Sequence, residues 1–205
     1  SNIIHSSYKY NVKKLIFLGS ACIYPKESEQ PIKEESLLTD ILEPTNEPYS
    51  IAKIAGIKMC ENYFLQYKKN FISIMPNNLY GENDNFDLDS SHVLPALMNK
   101  LHTAKENKLK KIEVWGTGKP MREFLHVDDL ADCCVFILEN LDANELYSQN
   151  ISHINVGSGE ELSIKDLAFL MRDIVGYEGD IIFNKSMPDG MKRKLLVYLW
   201  CQTKI

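Results

Sequence analysis

The chain contains no glycine-rich phosphate loop. Its glycines make neither G-x-G-x-x-G nor G-x-x-G-x-x-G, so the turn that lets a backbone approach a pyrophosphate is not among these residues. Long apolar runs are missing too. None reaches membrane-spanning length and no signal-peptide pattern is visible, so no membrane partner is expected. There is no basic block and the net charge is −5, which argues against a nucleic-acid partner. The five cysteines (Cys22, Cys60, Cys133, Cys134, Cys201) are odd in number and lack C-x-x-C spacing. That pattern predicts reduced thiols in a cytoplasmic protein, with neither a disulfide frame nor a metal site. No repeat and no low-complexity segment is present.

What remains is ordinary globular composition, 44% hydrophobic and 25% charged, in a chain long enough to bury a core. The stretch Glu43-Pro44-Thr45-Asn46-Glu47-Pro48-Tyr49-Ser50-Ile51-Ala52-Lys53 is the most informative. Tyr49 and Lys53 are four apart at a predicted helix start, hence on one face, and Pro48 suits a first turn. A cation beside a phenol favours the phenolate, and a tyrosine tuned in this way can hand a proton to a developing alkoxide. By spacing alone, the same pair is also what an exposed tyrosine and a solvated lysine look like.

In chain order, residues 2–10 predict a helix. Lys14–Leu18 reads as a buried parallel strand closed by Gly19-Ser20. Residues 24–47, with Pro25, Pro31 and Pro44, read as a long surface loop. A helix over 49–67 and a buried strand over 71–75 follow, the latter ending at Pro76-Asn77-Asn78. Helix–strand–helix–strand with apolar strands predicts a doubly wound α/β sheet. Ligands sit beyond the carboxyl ends of such strands, so one cleft is expected to collect Ser20, Cys22, Tyr49, Lys53 and Asn78. Further on, residues 81–91 read as an acidic loop and 93–107 as a helix. Strands are predicted at 112–115, 122–126, 153–156 and 181–183. A helix to about 141 is expected to be capped by Asp128 or Asp129, and one to about 175 by Ser163. Cys60, Cys133 and Cys134 are assigned to helix packing and His126 to a structural role.

Four motifs at compatible spacing go further. They are Leu18-Gly19-Ser20-Ala21-Cys22-Ile23-Tyr24-Pro25, Tyr49-x-x-x-Lys53, Asn78-Leu79-Tyr80-Gly81 and Arg122-Glu123-Phe124-Leu125-His126-Val127-Asp128-Asp129. Together they resemble the extended short-chain dehydrogenase/reductases. Cys22 two after Ser20, the Glu-Pro-Thr-Asn-Glu-Pro run at 43–48, Ser90-Ser91-His92-Val93 and Trp115-Gly116-x-Gly118 make the chain most similar to the GDP-sugar 3,5-epimerase/4-reductases among them. The resemblance covers residues 1 to about 196. Asn77 and Ala21 depart mildly from the pattern, which has Thr and Ser there.

The resemblance implies NADPH-dependent 3,5-epimerisation and 4-reduction of GDP-4-keto-6-deoxy-D-mannose. Cys22 and His92 match the acid/base pair of the epimerisation; cysteine and histidine are residue types whose surroundings can bring them to titrate near neutral pH. Tyr49 matches the proton donor to the C4 oxygen, Lys53 the residue that tunes it and holds the nicotinamide ribose, and Ser20 the partner of the keto oxygen. Leu18, Gly19, Ser20, Ala21, Lys53, Pro76, Asn77, Asn78, Leu79 and His92 match NADP(H)-lining positions. Lys100, Trp115, Arg122 and Asp189 match positions that hold the GDP-sugar, Arg122 as a forked cation for the diphosphate.

The implied fold is an incomplete Rossmann-type parallel sheet, its opening βα units lying upstream of residue 1, with a smaller α/β substrate-binding domain. The expected division is 1–80 plus about 123–157 for the NADP-binding part, about 81–122 plus 158–196 for the substrate part, and an aberrant tail at 197–205 exposing Leu199 and Trp200. A homodimer using the 49–67 helix is implied, with GDP-sugar as the other partner. Impaired activity of this piece alone is expected, because the glycine-rich loop is not in it. The competing readings are another nucleotide-sugar epimerase or dehydratase, which does not need the Cys22–His92 pair, and a non-catalytic remnant that binds GDP-sugar.

Overall fold

The computed structural model describes residues 1–88 and 90–197. Six helices run through them: α1 (Asn2–Lys9), α2 (Glu47–Tyr67), α3 (Val93–Glu106), α4 (Val127–Asn140), α5 (Ala143–Tyr147) and α6 (Ile164–Val175). The strands are β1 (Lys14–Leu18), β2 (Asn70–Pro76), β3 (Asn78–Tyr80), β4 (Lys111–Trp115), β5 (Met121–His126), β6 (Ile154–Val156), β7 (Glu161–Ser163), β8 (Asp180–Asn184) and β9 (Arg193–Lys194). Among the described residues two compact units result, residues 1–79 with 125–159 and 195–197, and residues 80–124 with 160–194.

In the first unit, β1, β2 and β6 form a parallel sheet in the order β1-β2-β6, with Leu18 level with Ile74 and Pro76 with Val156. β2 is the middle strand and is buried from Phe71 to Pro76. That is why it reads as a continuous apolar run. β1, expected to be buried, is only half-buried, and Leu18 is 42% exposed. The reason is its position: β1 pairs with β2 along one edge only among the described residues. Leu125, Leu130, Ile137, Leu146 and Tyr147 pack on Ile72, Ile74 and Ile154, while α2 presents Ile54 and Ile57 to a second cluster with Met75. Cys60 is fully buried in a further cluster with Ile4 and Phe71, and Cys133 and Cys134 lie against the first.

The stretch at 24–47 is largely an exposed loop, as expected, but it is anchored in the core at a few points. Tyr24 and Ile32 are buried with Ile54, Met75 and Leu196. Three polar side chains explain how: the Tyr24 hydroxyl donates to Asn155 Oδ1, pairs with His153 Nε2 at 2.7 Å, and the Asn155 amide donates to Ile32 O at 3.1 Å. Buried polar atoms tolerate that position only because each has a partner.

The cap of α4 also differs from expectation. His126 is the N-cap and its Nδ1 accepts from Asp128 N at 3.3 Å; Asp128 and Asp129 sit in the first turn, where carboxylates favour the positive end of the helix dipole. Ser163 caps α6 as predicted, accepting from Asp166 N at 3.0 Å.

In the second unit, β4 and β8 pair in parallel. Alternate burial along β4 puts Ile112 and Val114 inward and leaves Trp115 60% exposed. Leu97 and Leu101 of α3 and Leu167 and Met171 of α6 cover these strands. β5 pairs antiparallel with β7 and parallel with β9. β3, α5, β7 and β9 escaped the sequence reading: four of five or fewer residues lack a measurable period. Of the predicted tail, Val197 donates its amide to Ile32 O at 2.8 Å; Leu199 and Trp200, with Cys201, lie outside the described residues.

Candidate active site

The first unit brings the end of β1 and the start of α2 together. α2 begins where predicted, with Pro48 in its first turn, and Tyr49 and Lys53 share a face. The Lys53 ammonium lies 5.6 Å from the Tyr49 ring centroid and 5.5 Å from that of Phe17. It donates to Leu18 O at 2.7 Å, which anchors it at the carboxyl end of β1. Tyr49 is 49% exposed.

Gly56, one turn beyond Lys53, lets α2 close on the sheet. A Cβ there would lie 2.2 Å from the Phe17 ring. Gly19 does the same for the strand end, since a Cβ on it would meet Met75 Sδ at 2.2 Å, and its amide donates to Ile74 O at 2.8 Å.

Beyond Gly19 the chain makes a single 3-10 turn, Ala21–Ile23, whose N-cap is Ser20. Ser20 Oγ accepts from Cys22 N at 3.3 Å. Ser50 Oγ donates to Cys22 O at 2.7 Å, so the turn that carries the thiol is fastened to α2. Cys22 is half-buried and outside any disulfide.

At the neighbouring strand end, Asn77 Oδ1 accepts from both the amide and the side chain of Asn78, and Asn77 N donates to Val156 O. Leu18, Gly19, Ser20, Ala21, Pro76, Asn77, Asn78 and Leu79 therefore all lie at the carboxyl ends of β1 and β2, on one side of the sheet. The donor set suits a ribose and a nicotinamide carboxamide: an ammonium, a hydroxyl and an asparagine amide.

The second unit carries the other candidates. His92 is the N-cap residue of α3, exposed, and its side chain makes no capping bond. Arg122 lies on β5 and is half-buried. Burial pulls its guanidinium below the ordinary range, and the Asp189 charge works against that. Its Nη1 donates to Met121 O at 2.7 Å.

Asp189 is engaged by a turn. Its carboxylate accepts from the Thr117 amide and, at 2.8 Å, from the Thr117 hydroxyl. Those two bonds hold its carboxyl below the usual range. Gly116, with φ +82°, makes room: a Cβ there would lie 2.3 Å from Asp189 Oδ1. Lys100 donates to Glu113 O at 2.9 Å. Arg122, Asp189 and the turn after Trp115 thus form one group, and Lys100 reaches from α3 to β4 at Glu113.

Three positioning residues were missed from the sequence: Ser50, Thr117 and Gly190, whose φ is +71° and whose built Cβ would lie 3.6 Å from Arg122 Nη2. Gly190 beside Asp189 was a signal in the sequence; Ser50 carried none. Among the described residues, no group of three or more His, Cys, Asp or Glu could hold a metal ion, and no helix is long and apolar enough to cross a membrane.

Comparison with known proteins bears on the same residues. Residues 1–157 match the model of the NAD dependent epimerase/dehydratase family. The chain is 56% identical over 196 residues to GDP-L-fucose synthase 1 of Arabidopsis thaliana, covering 96% of this chain and 58% of that protein. A GDP-6-OMe-4-keto-L-xylo-heptose reductase from C. jejuni superposes with a TM-score of 0.91 at 39% identity, over 98% of this chain and 67% of that one. A GDP-L-fucose synthetase from Naegleria fowleri bound to NADP gives 0.86 at 32% identity, over 96% and 61%. The chain thus spans about three-fifths of the length of its curated relative.

Proposed function

The chain belongs to the NAD dependent epimerase/dehydratase family, and from that premise we propose that it serves GDP-L-fucose synthesis: 3,5-epimerisation and 4-reduction of GDP-4-keto-6-deoxy-D-mannose with NADPH. The observation that carries the reading is the junction of β1 and α2, where the Tyr49–Lys53 pair and the turn bearing Cys22 are fastened to the same helix. The identity to a GDP-L-fucose synthase supports it.

The substrate ketone acidifies the protons on C3 and C5. Cys22 and His92 are the two groups that remove and return these protons, one on each face of the sugar. Ser20 Oγ donates to the keto oxygen and stabilises the charge that gathers there as each proton leaves. Tyr49 then protonates the C4 oxygen, with the Lys53 ammonium held beside its ring. Bound NADPH supplies the hydride for C4. Lys53, with Leu18, Gly19, Ala21, Pro76, Asn77, Asn78, Leu79 and His92, holds it.

Lys100, Trp115, Arg122 and Asp189 hold the GDP-sugar. Arg122 takes the diphosphate, since a planar fork with several N–H donors matches phosphate oxygens, and Trp115 offers its exposed face to the base. The division into NADP-binding and substrate-binding parts, a homodimer through α2 and a cytoplasmic location belong to the same reading.

The test is an incubation of the chain with GDP-4-keto-6-deoxy-D-mannose and NADPH, with products separated by chromatography and identified by NMR. GDP-L-fucose is expected, at an impaired rate because the glycine-rich loop is not among these residues. A GDP-6-deoxysugar reduced at C4 with C3 and C5 unchanged would replace the proposal by that of a plain C4 reductase.

A further inference from the structure

Ser50 lies between Tyr49 and Lys53 in sequence but points the other way. It is fully buried. A serine inside a helix commonly returns its hydroxyl to the carbonyl four residues back. Here that carbonyl, Asn46 O, is taken by the Ser50 amide at 2.9 Å, and the hydroxyl instead reaches out of the helix to Cys22 O at 2.7 Å. The Cys22 amide is held from the opposite side by Ser20 Oγ at 3.3 Å. Both polar main-chain atoms of Cys22 are therefore fixed by serine side chains, one on its own turn and one on α2. Cys22 sits in a three-residue 3-10 turn whose flanking Ala21 and Ile23 are buried.

We propose that Ser50 is a positioning residue for the thiol of Cys22, coupling the epimerisation group to the helix that carries the reduction pair. The inference rests on the function proposed above. Its physical content is geometric. Proton abstraction from carbon needs the acceptor within hydrogen-bond reach of the C–H, and a displacement of about 1 Å costs on the order of a hundredfold in rate. Removing one hydroxyl leaves the Cys22 carbonyl without its α2 donor, so the turn can shift while α2, Tyr49 and Lys53 keep their places. Tyr49 and Lys53 do not depend on the bond, because Lys53 is anchored separately at Leu18 O.

The experiment compares the chain with its Ser50→Ala variant in deuterated buffer with GDP-4-keto-6-deoxy-D-mannose and no NADPH, following deuterium entry at C3 and C5 by NMR over a range of substrate concentrations. Expected is a fall in the kcat of exchange of about tenfold or more with KM within about twofold, since the GDP-sugar contacts are elsewhere. Calorimetric titration of both chains with GDP-mannose is expected to give equal affinities. Equal exchange in the two chains would overturn the inference and leave the proposed function standing. A rise in KM matched by a loss of GDP-mannose affinity would overturn it as well, because a general loosening would then be the cause. Absence of exchange in the unaltered chain would overturn the proposed function itself, and the inference with it.

Discussion

The Lys53 ammonium donates to the main-chain carbonyl of Leu18 at 2.7 Å, across 35 residues of sequence. One bond thus ties the start of α2 to the carboxyl end of β1. A charged donor to a backbone acceptor is typically worth about 1.5–3 kcal/mol, and less where water screens it. Lys53→Met is expected to lower unfolding free energy by about 1 kcal/mol in a urea titration. NADPH oxidation with the keto-sugar is expected to fall by about a hundredfold or more, because the cation beside Tyr49 and its hold on the nicotinamide ribose are lost.

Tyr49→Phe separates chemistry from fold. The ring is half-exposed and stays in place. Thermal unfolding is expected to move by less than the equivalent of about 0.5 kcal/mol. NADPH oxidation should fall by about 10²–10⁴, while deuterium entry at C3 and C5 continues. Loss of both activities together would assign Tyr49 a wider role.

His153 gives the fold a pH limit. It is fully buried, its Nε2 donating to the Tyr24 oxygen at 2.7 Å and its Nδ1 accepting from Ser152 Oγ at 2.8 Å. Burial, with Lys58 contributing, pulls its pKa down to about 4. The unfolded chain takes up this proton near pH 6.5. Stability from the neutral ring is therefore full above about pH 6.5 and is lost progressively as pH falls toward 4, by about 3 kcal/mol in all. Glu34, whose carboxyl burial pushes up, works in the opposite sense. Urea titrations at pH 7 and pH 4.5 should show the loss, and His153→Asn should be flatter across that window.

Gly116 fixes the turn that Asp189 grips. Its φ of +82° and the 2.3 Å between a built Cβ and Asp189 Oδ1 both oppose a side chain. Gly116→Ala should cost about 1–2 kcal/mol for the backbone conformation and push Asp189 off Thr117. GDP-mannose affinity, measured by calorimetry, is expected to weaken about tenfold, with NADPH affinity unchanged.

Much of the first unit was legible because its strands are short apolar runs bounded by Gly19-Ser20 and Pro76-Asn77, and because Pro48 marks a helix start. The motif residues fell at the strand ends for the same reason. What could not be read was set by long-range partners. Tyr24 and Ile32 are buried in a polar-looking stretch through His153 and Asn155, more than 120 residues away. β1 is only half-buried because it pairs along one edge only among the described residues. Ser50 looks like any helical serine until its hydroxyl is seen at Cys22 O. The second unit was harder still, because β7 and β9 are three and two residues long and take their form from β5.

The most direct measurement is deuterium entry into GDP-4-keto-6-deoxy-D-mannose at C3 and C5 in the absence of NADPH, compared between the chain and Cys22→Ser. It reads the epimerisation residues without the reduction step. Exchange at both carbons that falls by about a hundredfold or more in the variant is the expected result. Exchange that survives the loss of the thiol would contradict the role of Cys22, and no exchange in either chain would contradict the proposed activity.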